Sequence, residues 1–223
     1  MVSSMAKYKY ILFDLDGTVS ESAEGIRKSL EYAINTLGAK MPDLDDYTLY
    51  IGPPLIDTFI RLVGLDLETA ERGAELYREY YNEKGKFLNR AYDGIEEVLV
   101  ALKAEGAKTA LCTSKFEGFA VEIIDILGLA DCFDAVCGSN LDGSRKDKKD
   151  MIPYAVRALG GSMENDRQSV VMLGDTWFDA KGARLCGVDF IGVKYGYGAV
   201  EPMEREGAVA FADSPQDILP LLG

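Results

Sequence analysis

The chain has 223 residues, 48% of them apolar, which is ample for a packed core in one domain or in a domain carrying an insertion. Its net charge of -13 speaks against a nucleic-acid polymer or an anionic membrane as a main partner. There is no histidine, which removes Ser-His-Asp and Cys-His nucleophilic systems, imidazole acid–base chemistry and His-ligated zinc. Carboxylates, lysines, hydroxyls and metal ions are left to carry any reaction.

The start, Met1 to Lys7, has no apolar stretch of the signal-peptide kind, and no run in the chain is long enough to cross a bilayer, so a cytoplasmic protein is expected. Met1 to Ser4 reads as an upstream extension, with Met5 a plausible native start. Tyr10 to Phe13 then reads as a buried strand of a parallel sheet, and it runs into Asp14-Leu15-Asp16-Gly17-Thr18. Ala23 to Leu37 carries Ile26, Leu30 and Ile34 at helical spacing and is stopped by Gly38. From Asp43 to Lys86 the pattern continues helical, broken at Gly52-Pro53-Pro54 and at Gly64, with an amphipathic helix over Leu67 to Tyr81. No strand signal falls between roughly Ser20 and Arg90, and that block is too long for one βαβ crossover. An inserted helical unit over 20–90 is therefore expected, within a core made of 1–19 and 91–223.

Strands and helices alternate after that. Asp93 can cap a helix bearing Val98 and Leu102, and Lys108 to Cys112 is a strand leading to Thr113-Ser114-Lys115. A helix through Ile124, a short strand at Ala135 to Cys137, the basic stretch Arg145 to Lys149 and a helix with Ile152 and Val156 follow. Val170 to Leu173 is a second buried strand, opening into Gly174-Asp175-Thr176-Trp177-Phe178-Asp179. A further helix, a strand at Phe190 to Val193, a weak strand at Val209 to Phe211 and a helix capped by Ser214-Pro215 complete the chain. This alternation implies an α/β fold, a doubly wound parallel sheet of Rossmann-like kind. The four cysteines show no paired spacing, and Cys112 reads as a buried, inert thiol.

Polar clusters stand at the carboxyl ends of three of these strands, where open α/β sheets hold ligands: Asp14 with Asp16, Thr113 with Ser114, and Asp175 with Asp179. Two carboxylates on one side of an extended chain repel, and a divalent, oxygen-loving cation offsets that repulsion. Each cluster also has a plain reading, as a solvated turn, a pair of capping hydroxyls, or, for the lysines, a solvated face. Together they fit phosphoryl transfer through an aspartyl-phosphate, with a second carboxylate protonating the leaving oxygen and then activating water.

On these residues the chain resembles the haloacid dehalogenase superfamily, in its phosphatase branch with a helical cap. Phe13-Asp14-Leu15-Asp16-Gly17-Thr18-Val19 matches the first family motif, Thr113 with Ser114 the second, and Gly174-Asp175-Thr176-Trp177-Phe178-Asp179 the fourth. The resemblance implies Asp14 as nucleophile, Asp16 as general acid and base, and phosphate contacts from Leu15, Thr113, Ser114 and a lysine. It implies Mg²⁺ held by Asp14, the Asp16 carbonyl and Asp175, with Asp179 supporting those ligands. The motif lysine departs from the common K-P-x-P-D pattern; the K-x-D-x-I arrangement selects Lys148, with Lys146 the alternative. Asp16 favours phosphate esters over organic halides, since a halide leaving group needs no proton.

Ile51-Gly52-Pro53-Pro54-Leu55, Arg61 and the return Arg90 to Gly94 resemble phosphoglycolate phosphatases. Gly52, Pro53 and Arg61 are thus candidates for substrate choice, against an ordinary helix break and solvated charges, as are Lys84 and Lys86. The expected substrate is a small phosphorylated metabolite, phosphoglycolate-like or a nucleotide 5'-phosphate, handled by a monomer or homodimer. A sugar phosphomutase is the alternative, weakened by the missing histidine; a non-catalytic phospho-acceptor is another, and such domains are much shorter.

Overall fold

The computed structural model describes residues 7–142 and 145–223, so the proposed extension Met1 to Ser4 lies outside the described residues. The chain runs β1 (Tyr10–Phe13), β2 (Ser20–Glu21), α1 (Ala23–Thr36), α2 (Leu55–Thr58), which continues as a π-helical turn over Phe59–Val63, and α3 (Leu67–Glu83). It returns through β3 (Arg90–Ala91), α4 (Ile95–Ala104), β4 (Lys108–Phe116), α5 (Glu117–Ile126) and β5 (Ala135–Ser139). The remainder is α6 (Lys148–Ala158), β6 (Val170–Gly174), α7 (Trp177–Cys186), β7 (Asp189–Val193), α8 (Val200–Arg205), β8 (Ala210–Ala212) and α9 (Ile218–Leu222).

Among the described residues β5-β4-β1-β6-β7-β8 form a six-stranded sheet, parallel throughout. β1 lies between β4 and β6, so the chain winds outward from it in both directions and leaves a crevice at its carboxyl end. Both faces of β1 are buried. Ile11 and Phe13 join one core cluster and Tyr10 and Leu12 the other, the two-residue alternation expected of a strand covered on both sides. Cys112, Cys132 and Cys137 are buried free thiols. Among the described residues no helix is long and apolar enough to cross a membrane.

The helical block between β1 and α4 leaves and returns through a two-stranded antiparallel ribbon, Ser20 opposite Ala91 and Glu21 opposite Arg90, where no strand was expected. Two-residue strands carry no readable alternation, which explains why the sequence pattern misses them. The expectation of helix from Asp43 onward is corrected: a single 3-10 turn, Tyr47–Leu49, precedes α2. Asp43 accepts the amide of Asp45 and Asp46 that of Thr48, local bonds that compete with a helix. Asp93 does not cap α4; Gly94 does so in a left-handed conformation, φ +90°. Ser214 and Asp217 form the expected capping box, here on a 3-10 turn leading into α9. The last strand is displaced by one residue, and α8 was not foreseen.

The block packs tightly through glycine. A Cβ on Gly25 of α1 would lie 2.2 Å from the carbonyl oxygen of Gly85, so the helix and the returning chain touch backbone to backbone. Its apolar face, including Leu30, Ile34, Ala70 and Ala74, is continuous with the core on one side of the sheet.

Candidate active site

β1 delivers Asp14 to the carboxyl edge of the sheet, where its amide donates to Leu173 of β6 at 2.9 Å. The chain then curls: Leu15 is buried in the core, and its carbonyl accepts the amides of Thr18, Val19 and Ser20 at 2.9 to 3.2 Å. Gly17 takes φ +82°, and a Cβ there would lie 2.1 Å from Asp175 Oδ2. Only glycine lets the curl close over that carboxylate.

Asp175 follows β6 and is fully buried. Asp179, one turn into α7, forms a capping box with Thr176, whose hydroxyl donates to its Oδ2 at 2.7 Å. Asp14, Asp175 and Asp179 each bring an oxygen within 4.8 Å of the others. Lys148, the first residue of α6, places Nζ 2.8 Å from Asp14 Oδ1 and 2.6 Å from Asp179 Oδ1, and donates to the Cys112 carbonyl at 2.7 Å. A Cβ on Gly182 of α7 would fall 2.3 Å from Lys148 Cβ, so α7 leaves room there for the lysine stem.

Burial pushes the Asp14 carboxyl up to about 6, helped by the charges of Asp179 and Asp16 and opposed by Lys148. Asp175 is also raised well above the usual carboxylate range, by burial first and then by the charges of Asp179 and Asp14. Burial alone would lower Lys148, but Asp14 and Asp179 outweigh it and keep the ammonium charged. Three buried carboxylates therefore face one buried cation. Asp175 Oδ1 is buried and has no hydrogen-bond partner among the described residues. An all-oxygen cluster with an orphaned oxygen and surplus negative charge fits a hard divalent cation.

Asp14, Asp16, Thr113, Ser114, Lys148 and Asp179 all line one cavity of about 520 Å³, beneath which Asp175 is buried. Gly52 and Pro53 line the same cavity from the helical block. Arg61 does not; it lines a neighbouring cavity of about 350 Å³ beside Trp177. Lys146 is exposed and lies at the rim of both, while Lys148 is buried against Asp14. Lys86 pairs with Glu122, and Lys84 stands over the ring of Tyr80; neither lines either of these two cavities.

Two parts of the site were not singled out from the sequence. Lys115 places Nζ 3.1 Å from Asp16 Oδ2, directly after Thr113 and Ser114 on the same strand. The stretch Tyr195-Gly196-Tyr197-Gly198, following β7, wraps Asp175: the Tyr197 amide donates to Asp175 Oδ2 at 2.8 Å. A Cβ on Gly196 would lie 2.3 Å from Asp175 Cβ, and one on Gly198 1.9 Å from its carbonyl oxygen. The Tyr197 hydroxyl accepts the amides of Ser22 and Ala23 at 2.8 and 3.0 Å, at the start of α1. Alternating glycines just beyond a strand's carboxyl end were the available signal.

Residues 11–193 match the family model for haloacid dehalogenase-like hydrolases. The chain belongs to that family. It is 37% identical over 203 residues to a 5'-nucleotidase of Pseudomonas aeruginosa, covering 91% of this chain and 90% of that one. It is 32% identical over 221 residues to a phosphoglycolate phosphatase of Caulobacter vibrioides, covering 95% and 91%. The crystal structure of a predicted phosphatase from Clostridium acetobutylicum superposes with a TM-score of 0.87 at 39% identity, covering 96% of this chain and 99% of that one. With the family and such relatives, the chain is a hydrolase of the phosphoric monoester class, similar to phosphoglycolate phosphatases.

Proposed function

We propose that the protein is a Mg²⁺-dependent phosphatase that hydrolyses a small phosphomonoester through an aspartyl-phosphate on Asp14. The observation that carries this reading is the buried ion pair of Asp14 with Lys148 at 2.8 Å, set beside Asp175 and Asp179 at the floor of the large cavity. Asp14, Asp175 and the Asp16 carbonyl would hold the ion, with Asp179 supporting them. Bound there, Mg²⁺ screens the carboxylates from an incoming phosphate and favours the charge that builds on its oxygens.

In this reading an Asp14 oxygen bonds to phosphorus as the bond to the leaving oxygen breaks, and Asp16 gives that oxygen its proton. Asp16 then takes a proton from water, whose oxygen attacks phosphorus, and the Asp14 carboxylate leaves with inorganic phosphate formed. Lys148, the Thr113 and Ser114 hydroxyls and the amide that follows Asp14, that of Leu15, would bind the phosphoryl oxygens. Residues 20–90 would act as a cap over a core of 1–19 and 91–223, excluding water from the site.

The substrate would be phosphoglycolate-like or a nucleotide 5'-phosphate. A cavity of about 520 Å³ with Tyr77, Tyr81, Phe116 and Phe119 in its wall favours the larger, aromatic leaving group. The test is turnover of 4-nitrophenyl phosphate, then of a panel holding phosphoglycolate and nucleoside monophosphates. Activity should need Mg²⁺, stop with EDTA, and fall by more than about 10³-fold in Asp14→Asn, as expected when a covalent nucleophile is removed. Metal-independent turnover, or an active Asp14→Asn variant, would refute the reading.

A further inference from the structure

Lys115 ends the polar run Thr113-Ser114-Lys115 of β4, and its side chain is 8% exposed. Its Nζ stands 3.1 Å from Asp16 Oδ2 and donates to the Tyr81 hydroxyl at 3.0 Å, 4.3 Å from the centre of that ring. Tyr81 belongs to α3 of the helical block, is fully buried, stacks on Tyr77 and packs against Phe119 of α5. Asn89 Nδ2 donates to the same hydroxyl at 3.2 Å, and Asn89 Oδ1 accepts from Ser20 Oγ at 3.3 Å. A polar chain thus runs from β2 through Asn89, Tyr81 and Lys115 to Asp16. The other Asp16 oxygen, Oδ1, is buried with no hydrogen-bond partner among the described residues.

We propose that Lys115, itself held by Tyr81, is a positioning residue that fixes the Asp16 carboxylate through Oδ2. A carboxylate tethered by one oxygen loses rotamer freedom and is held in one orientation for proton transfer. The ammonium matters most while Asp16 acts as base, when a water loses its proton to Asp16 and its oxygen displaces Asp14 from phosphorus. This role rests on those proposed for Asp14 and Asp16. It adds that the placement of Asp16 depends on α3, which also lines the cavity with Tyr77, Arg78 and Tyr81.

The test is Lys115→Met with 4-nitrophenyl phosphate, whose acidic phenol leaves without a proton. The expected kcat loss is about 10- to 100-fold, with KM falling alongside it and kcat/KM changed by less than about threefold, because formation of the phosphoenzyme from this substrate needs no general acid. Because the second half-reaction slows, nitrophenolate should appear in a burst larger than that of the wild type, and intact mass should show phosphorylated enzyme. Lys115→Arg should recover part of kcat. Tyr81→Phe, which keeps the ring and its packing, should show the same burst on a smaller loss and add little to Lys115→Met. Unchanged kcat, a rise in KM alone, or lost turnover without phosphorylated enzyme in folded Lys115→Met would overturn the proposal. If the wild type forms no phosphoenzyme and Asp14→Asn stays active, the reading of the site fails instead.

Discussion

Lys148 is the residue whose neighbours determine what the site can hold. Its ammonium faces Asp14 and Asp179 with 3% of the side chain exposed, so removing it leaves two buried carboxylates without a cation. Lys148→Ala should lower activity by at least about 10²-fold and cost about 3–5 kcal/mol of stability, as breaking one side of a buried ion pair does. Lys146→Ala, at an exposed position two residues earlier, should change either by less than about threefold or 0.5 kcal/mol. Steady-state kinetics and chemical denaturation of the two variants check the contrast, and equal effects would contradict the assignment. The sequence pattern could place a lysine here but left two candidates. What separates them is the helix start: α6 begins at Lys148, which turns that side chain inward and leaves Lys146 in the preceding loop.

At the scale of elements, α6 and α7 meet where Gly182 passes the Lys148 stem. Gly182→Ala should force the two helices apart, costing about 1–3 kcal/mol as overpacking does. It should also move Nζ off Asp14, so kcat should fall further than the loss of folded protein explains. Thermal melts and kinetics on the same sample separate the two effects; full activity in a destabilised variant would mean the lysine does not shift. α1 and α3 were legible in the sequence because each carries several turns of apolar spacing, and β1 and β6 because each is an unbroken apolar run; all four stand close to where the sequence puts them. The β2–β3 ribbon was not legible, since Glu21 and Arg90 pair 69 residues apart and leave no local mark, and in the turn before α2 the local bonds of Asp43 and Asp46 override the helical pattern. Asp14 and Asp175 were legible because each follows a strong strand directly, and Asp16 and Thr113 because they stand beside such an apolar run. Lys115 and Tyr197 were not, because their importance comes from partners on other elements.

For the whole molecule, the cluster of buried carboxylates makes stability depend on pH and on metal. Asp14 is raised to about 6 and Asp175 is raised as well, both by burial first. A carboxyl whose folded pKa exceeds its unfolded value stabilises the fold below the unfolded pKa and loses that contribution as pH rises through the folded one. Metal-free protein should therefore lose melting temperature between about pH 4 and pH 7 from this source, and Asp175→Asn should flatten that slope. Mg²⁺ should raise the melting temperature at pH 7 more than at pH 5, because it binds the ionised form. An equal effect at both pH values would argue against a carboxylate metal site. The place of β1 in the sheet has a consequence for how the protein is made. Tyr10 pairs with Lys108 on one side and with Val170 on the other, and the Tyr197 amide reaches Asp175 later still. Asp14 is synthesised well before the strands and the loop that surround it. A nascent chain that has not yet extended past Gly174 carries Asp14 beside a strand with an unpaired edge, a state that favours slow, non-local folding and exposes β1 to wrong partners.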